Sequence, residues 1–163
     1  MINIYKTDKL KNQKERHLFA DGVAAELWNT RILRTDSGKP YLECGEPYIS
    51  ISHTSGHWVV MSDERECGID CEYKTRKVEH LSVKFLSEDE SAICESLWSE
   101  NPTLLGWCAK EAVYKVMNKE GVDFKRDMVI VSGSGSELVV RAFDSSVRLR
   151  WGIMGDLLVV YTI

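Results

Sequence analysis

The chain has no apolar run approaching the roughly 18 residues that a membrane span needs. Its longest apolar stretches, residues 58–61 and 157–161, are far shorter. It has no basic-then-apolar leader either: Met1-Ile2-Asn3-Ile4-Tyr5-Lys6 predicts a cytoplasmic protein rather than an exported one. Its five cysteines are an odd number, so they do not close a complete disulfide framework; reduced thiols are the simplest expectation. There is no basic excess. Lys and Arg number 21 against 25 Asp and Glu, a net charge of −4, which speaks against non-specific nucleic-acid binding.

What is present is the composition of an ordinary globular protein, 44% hydrophobic and 28% charged over 163 residues. That length predicts one domain with a core of its own. Apolar residues at Leu18, Phe19, Val23, Leu27, Trp28, Ile32 and Leu33 predict an amphipathic helix over 15–33. A basic cluster of Lys9, Lys11, Lys14, Arg16 and His17 leads into it. The turn 35–40 precedes alternating segments at 48–52, 57–62 and 67–73, read as a three-stranded antiparallel meander with turns at 53–56 and 63–66. Residues 78–98 read as helical, with a capping box from Ser87 to Glu90. Asn101-Pro102 opens a helix with Leu104, Leu105, Cys108, Ala112, Val116 and Met117 on one side, ended by Gly121. Four more strands follow, at 128–131, 137–142, 147–151 and 157–162. The chain has no βαβ alternation, so the fold class expected is α+β.

Three constellations carry chemistry. In Gly68-Ile69-Asp70-Cys71-Glu72 strand alternation puts both carboxylates on one face and Ile69 and Cys71 on the other. Two like charges side by side need a positive partner, and a hard cation with oxygen ligands meets that need; a solvated acidic strand face is the plain alternative. In the segment 107–115, Trp107, Glu111 and Lys115 fall one helical turn apart. Lys110 lies about 100° round from Glu111, where it is expected to reach another part of an anionic ligand. Ser50-Ile51-Ser52-His53-Thr54 puts hydroxyls and an imidazole at a strand end, and Lys39 beside Pro40 is a candidate phosphate contact. Two other patterns are weaker. His53, His57, Cys67 and Cys71 mimic zinc spacing, but i and i+4 on a strand lie about 13 Å apart. Asp63 with Glu72 and Lys74 loosely mimics a metal-dependent nuclease.

Taken in order, Gly38-Lys39-Pro40, Ser52-His53-Thr54, Gly68-Ile69-Asp70-Cys71-Glu72, Phe85-Leu86-Ser87-Glu88-Asp89-Glu90 and Trp107-Cys108-Ala109-Lys110-Glu111-Ala112-Val113-Tyr114-Lys115 resemble the 4′-phosphopantetheinyl transferase superfamily. That family carries G-K-P, S-H-S, G-I-D-x-E, F-x-x-x-E and W-x-x-K-E-x-x-x-K; Thr54 stands here where serine is usual. The resemblance implies transfer of 4′-phosphopantetheine from coenzyme A to a serine of an apo acyl or peptidyl carrier protein, as in holo-acyl-carrier-protein synthases. The carrier would serve fatty acid, polyketide or peptide synthesis, and adenosine 3′,5′-bisphosphate would be the other product. It implies Asp70, Glu72 and Glu111 as ligands of Mg²⁺ (or Mn²⁺), with Glu111 also taking the serine proton. It implies Lys115 and Lys110 at the diphosphate, and Lys39, Ser52, His53 and Arg16 at the nucleotide end. It further implies two similar halves, about 1–66 and 67–163, with the first reduced, in a single domain working as a monomer without membrane or nucleic acid. Lys74, Arg76, Lys77 and Lys84, with Val83, Phe85 and Leu86, would then face an acidic carrier. The alternatives are a non-catalytic relative that binds coenzyme A or a carrier, and a metal-dependent phosphohydrolase or nuclease.

Overall fold

The computed structural model describes residues 1–7, 10 and 12–163. Lys9 and Lys11 of the basic cluster lie outside the described residues. The fold is mixed, with antiparallel sheets throughout. Strand β1 (Ile2–Lys6) leads to helix α1 (Gln13–Trp28), the short strands β2 (Ile32–Arg34) and β3 (Pro40–Leu42), and then β4 (Tyr48–Thr54), β5 (His57–Asp63) and β6 (Ile69–Tyr73). A 3-10 turn at Glu79–Lys84 precedes α2 (Glu88–Leu97) and α3 (Pro102–Met117). Strands β7 (Met128–Ser134), β8 (Glu137–Ala142), β9 (Ser145–Met154) and β10 (Leu157–Thr162) complete the chain.

Helix α1 starts on a reciprocal cap. The Asn12 side chain accepts from the Glu15 amide and donates to the Glu15 carboxylate. It ends earlier than the apolar spacing predicts, because Asn29 takes the left-handed conformation at φ 51° and closes the last turn. Ile32 and Leu33 therefore belong to β2, not to the helix. Leu18 points to solvent, and Ala20, Val23 and Ala24 form the buried face. The predicted helix over 78–98 breaks into the 3-10 turn and α2. The Ser87–Glu90 capping box is present in full. Helix α3 ends at Asn118, again left-handed at φ 44°, three residues before the expected Gly121.

The C-terminal meander forms as expected, but the N-terminal one does not. Strands β4 and β5 pair as a hairpin, yet the third strand of that sheet is β1, in the order β1-β5-β4. Strand β1 holds the edge of β5, so β6 leaves and joins β10 in a five-stranded sheet ordered β6-β10-β9-β8-β7. The turn expected at 53–56 is tighter too: His53 and Thr54 are strand residues, opposite Trp58 and His57.

The main core lies between α2, α3 and one face of the five-stranded sheet, with Leu104, Leu105, Cys108, Leu138, Leu149, Leu158 and Val160 buried there. On the opposite face Ile69, Cys71, Leu157 and Val159 pack against Val59 and Met61 of the smaller sheet. Two fixings align α3 with β6. Asn101, the α3 N-cap, donates to the carbonyls of Lys74 and Arg76 just after β6. At the other end Gly68 lies so close to α3 that a Cβ there would stand 2.0 Å from the Ala112 carbonyl oxygen. Only glycine permits that approach.

Candidate active site

The site grows from the alternation of β6. Asp70 and Glu72 lie opposite Val160 and Leu158 of β10, on the face that carries α3, while Ile69 and Cys71 turn into the second core. Helix α3, brought in by Gly68, carries Glu111 and Lys115 to the same edge. The Lys115 ammonium donates to the Ile69 carbonyl at 2.7 Å and to Asp70 Oδ1 at 2.9 Å. Ser52 Oγ donates to the same Oδ1 at 2.8 Å. Asp70 is only 6% exposed; its Oδ2 is buried with no hydrogen bond of good geometry, and the buried Cys108 thiol lies beside the carboxylate. Glu72 accepts from Thr54 Oγ1 at 3.1 Å and pairs through its other oxygen with Arg76.

The electrostatics follow from this crowding. Burial, then the Asp70 charge, push the Glu111 carboxyl up to about 7, with Glu72 adding and Lys115 opposing. Burial also raises Glu72, against the pull of Arg76. The neighbouring thiols are inert: burial holds Cys67 at about 11 and Cys71 at about 12, which suits core residues rather than ligands or nucleophiles.

Beside the carboxylates opens a cavity of about 540 Å³. Arg16 and His17 of α1, Arg34, Lys39, His53, Lys115 and Lys119 bring positive charge or imidazole to it, and Glu120 is the single carboxylate among the described lining residues. Lys39 is partly held by Glu66 at 3.1 Å. The His53 ring stacks on buried Trp58, with centroids 5.3 Å apart. Partial enclosure, then the nearby Arg16 and Lys115 cations, hold its pKa below the ordinary imidazole value. Ser37 Oγ donates to the Asn118 side chain at 2.8 Å, tying the 35–39 turn to the end of α3 across the mouth.

The structure thus brings together Asp70, Glu72, Glu111 and Lys115, with Arg16, Lys39 and His53 lining the adjoining cavity. Two expected residues are elsewhere. Lys110 is completely buried. It pairs with Glu90 at 2.5 Å and donates to the carbonyls of Phe85 and Phe124, because its place on the helix turns it into the core while Glu111 faces the site. The Ser52 hydroxyl is spent on Asp70 and on the Cys71 amide, not on the cavity. Asp63 lies opposite Tyr48, at the far end of the hairpin from His53, so no nuclease-like triad forms with Glu72. Arg76, expected on a carrier-facing surface, is bound to Glu72, and Lys74 pairs with Asp156. Trp58 beneath His53 and the close-packing role of Gly68 went unread in the sequence. The first has no local signal; the second is the opening glycine of the Gly-Ile-Asp motif.

The donor set fits a hard divalent cation. All its donors are oxygens, Asp70 Oδ2 is buried without a hydrogen-bond partner, and burial together with the Asp70 charge raises the Glu111 carboxyl, a crowding of carboxylates that a cation would relieve. The oxygens are not drawn into a tight cluster: among the described residues no group of three or more His, Cys, Asp or Glu side chains is spaced to share an ion. Arg76 pairs with Glu72 and Lys115 with Asp70.

The family model described as the 4′-phosphopantetheinyl transferase superfamily matches residues 66–151, more than half of the chain and the stretch that holds β6, α2 and α3. No curated protein matches the chain. Among the described residues, no helix is long and apolar enough to cross a membrane.

Proposed function

The chain belongs to the 4′-phosphopantetheinyl transferase superfamily, and from that premise we propose that it transfers 4′-phosphopantetheine from coenzyme A to a serine of an apo acyl or peptidyl carrier protein. The observation that carries this reading is one juxtaposition. A buried carboxylate with a free oxygen, Asp70, shares Lys115 with a cavity lined by Arg16, Lys39 and His53. An acidic cluster beside a basic cavity suits a cation and a polyanionic nucleotide bound side by side.

In this reading Asp70, Glu72 and Glu111 hold Mg²⁺, or Mn²⁺, which oxygen donors accept equally. When bound, that ion supplies charge neutralisation for the diphosphate. Lys115 reaches the same diphosphate, offsetting the charge that develops on the leaving oxygens. Arg16, Lys39 and His53 hold the nucleotide end and its 3′-phosphate. The carrier serine hydroxyl forms a new bond to the phosphorus that bears pantetheine. The bond from that phosphorus to the bridging oxygen breaks, and adenosine 3′,5′-bisphosphate leaves with the electron pair. Glu111, facing the site from α3, receives the serine proton directly or through water. The N-terminal part, with β1-β5-β4 and α1, and the C-terminal part, with β6–β10, α2 and α3, act as the two halves of one monomeric unit.

The test is intact-mass measurement of apo acyl carrier protein incubated with this protein, coenzyme A and Mg²⁺. A gain of one phosphopantetheine arm, abolished by EDTA, is the expected result. No gain across fatty-acid, polyketide and peptidyl carriers would overturn the assignment.

A further inference from the structure

We propose that Ser52 and Thr54 are positioning residues of the cation site: two hydroxyls on β4 that fix how the Asp70 and Glu72 carboxylates are oriented toward a hard divalent cation. The inference rests on reading those carboxylates as cation ligands.

Strand β6 presents its free edge to β4, and the contact is made by side chains rather than by a backbone ladder. The amides of Ile69 and Cys71 donate to the hydroxyls of Ser50 and Ser52, both at 3.1 Å. A serine placed merely to satisfy that edge would stop there, as Ser50 does. Ser52 goes further. Its oxygen already accepts from Cys71, an N–H that can only donate, so its single proton has one direction left: toward Asp70 Oδ1, at 2.8 Å. Lys115 donates to the same oxygen. With two donors on Oδ1, the carboxylate is pinned in one rotamer and Oδ2 is the oxygen left over. Both side chains are buried, so water does not substitute for the contact.

Thr54 repeats the arrangement one strand period on. Its hydroxyl donates to Glu72 Oε2 at 3.1 Å, and among the described residues it takes no amide of β6. Satisfying the strand edge therefore does not account for it; holding Glu72 does. Its β-branched side chain is stiff about χ1, so the hydroxyl is set rather than free to wander. Arg76 holds the other oxygen of Glu72, so a cation at that carboxylate would displace the guanidinium while Thr54 keeps Oε2 oriented.

The experiment uses the full chain with Mn²⁺ alone, titrated by the electron paramagnetic resonance signal of the free ion. Thr54→Val keeps shape and removes the donor. Its Mn²⁺ affinity is expected to fall about tenfold or more, the usual cost of losing an outer-shell partner. Thr54→Ser is expected to recover most of it, and at saturating Mg²⁺ the KM for coenzyme A stays unchanged in Thr54→Val. Wild-type Mn²⁺ affinity retained in Thr54→Val, or a raised KM for coenzyme A at saturating metal, overturns the role of Thr54 alone. A wild-type chain that binds no Mn²⁺ overturns the cation-site reading together with it. Ser52→Ala is followed by the same titration below its melting transition, where a lowered Mn²⁺ affinity in folded protein supports the pairing with Asp70 and an unchanged one counts against it.

Discussion

Glu111 makes the metal-free protein lose stability as pH rises. Its carboxyl is held at about 7 in the folded chain against an ordinary 4.5. Between those values the folded state binds more protons than the unfolded state, so stability falls with rising pH. At about 1.4 kcal/mol for each pH step the ceiling is about 3 kcal/mol. Glu111 is only part-buried, and solvent screening cuts that to about 1–2 kcal/mol. For a chain of this size that corresponds to roughly 3–6 °C in Tm. Glu72, raised by burial, adds in the same direction just above its ordinary range. His53 acts oppositely: its folded pKa lies below 6.5, so its contribution grows as pH rises. The comparison must therefore be a difference between two proteins. Wild type and Glu111→Gln are melted in EDTA at about pH 5.5 and about pH 8; that interval crosses roughly three fifths of the window, so wild type should lose roughly 2–4 °C more across it. Mg²⁺ should restore wild type more at the higher pH, because ligand carboxyls must be deprotonated to bind. Equal losses in the two proteins would refute the placement of Glu111 among the carboxylates.

Lys110→Met strands the Glu90 carboxylate in the core and should cost about 3–5 kcal/mol by urea unfolding, with Lys110→Met/Glu90→Gln recovering part of it; a cost below about 1 kcal/mol would mean the pair is wet. Gly68→Ala drives a Cβ into the Ala112 carbonyl and should destabilise by about 3 kcal/mol or more while lowering transfer; a stable, active variant would show that α3 is not held by that approach. Asp63→Ala should leave transfer within about twofold, as a surface change far from the site does, whereas Asp70→Ala should abolish it; the intact-mass assay reads both, and the reverse pattern would favour nuclease-type chemistry.

Features set by local periodicity were legible in the sequence. Alternation alone put Asp70 and Glu72 on one face and Ile69 and Cys71 on the other, and the structure repeats it. The Ser87–Glu90 capping box is also local and was read correctly. Its second duty was not: the Glu90 carboxylate also meets Lys110 and accepts from the Ile130 amide, partners 20 and 40 positions away that no window shows. The burial of Lys110 against Glu90 is illegible for the same reason. Helical geometry separates it from Glu111 by about 100°, but only the folded core decides which of the two faces the ligand. Strand partners were the other limit. Nothing near residue 69 announces that β1 has already taken the edge of β5, so the local pattern predicts a meander that β6 does not join. The helix 15–33 ran long because Asn29, a residue that tolerates the left-handed conformation, carries a weaker stop signal than glycine.

Strand β4 explains why the candidate cation site and the candidate nucleotide cavity adjoin. Along it, Ser50, Ser52 and Thr54 alternate with Ile49, Ile51 and His53. The first set bonds to β6 and its carboxylates. The second packs toward α1 or, at His53, onto Trp58 and the cavity. A strand period of two residues thus places the supports of an acidic cluster on one side of a single β-strand and the wall of a basic cavity on the other. Lys115, entering from α3, touches both. An insertion of one residue between Ser52 and Thr54 would exchange the two faces beyond it, withdrawing the donor from Glu72. The same extended backbone that brings the two sites within reach of one ligand therefore also fixes their register, and the Ser-His-Thr triplet is its narrowest point.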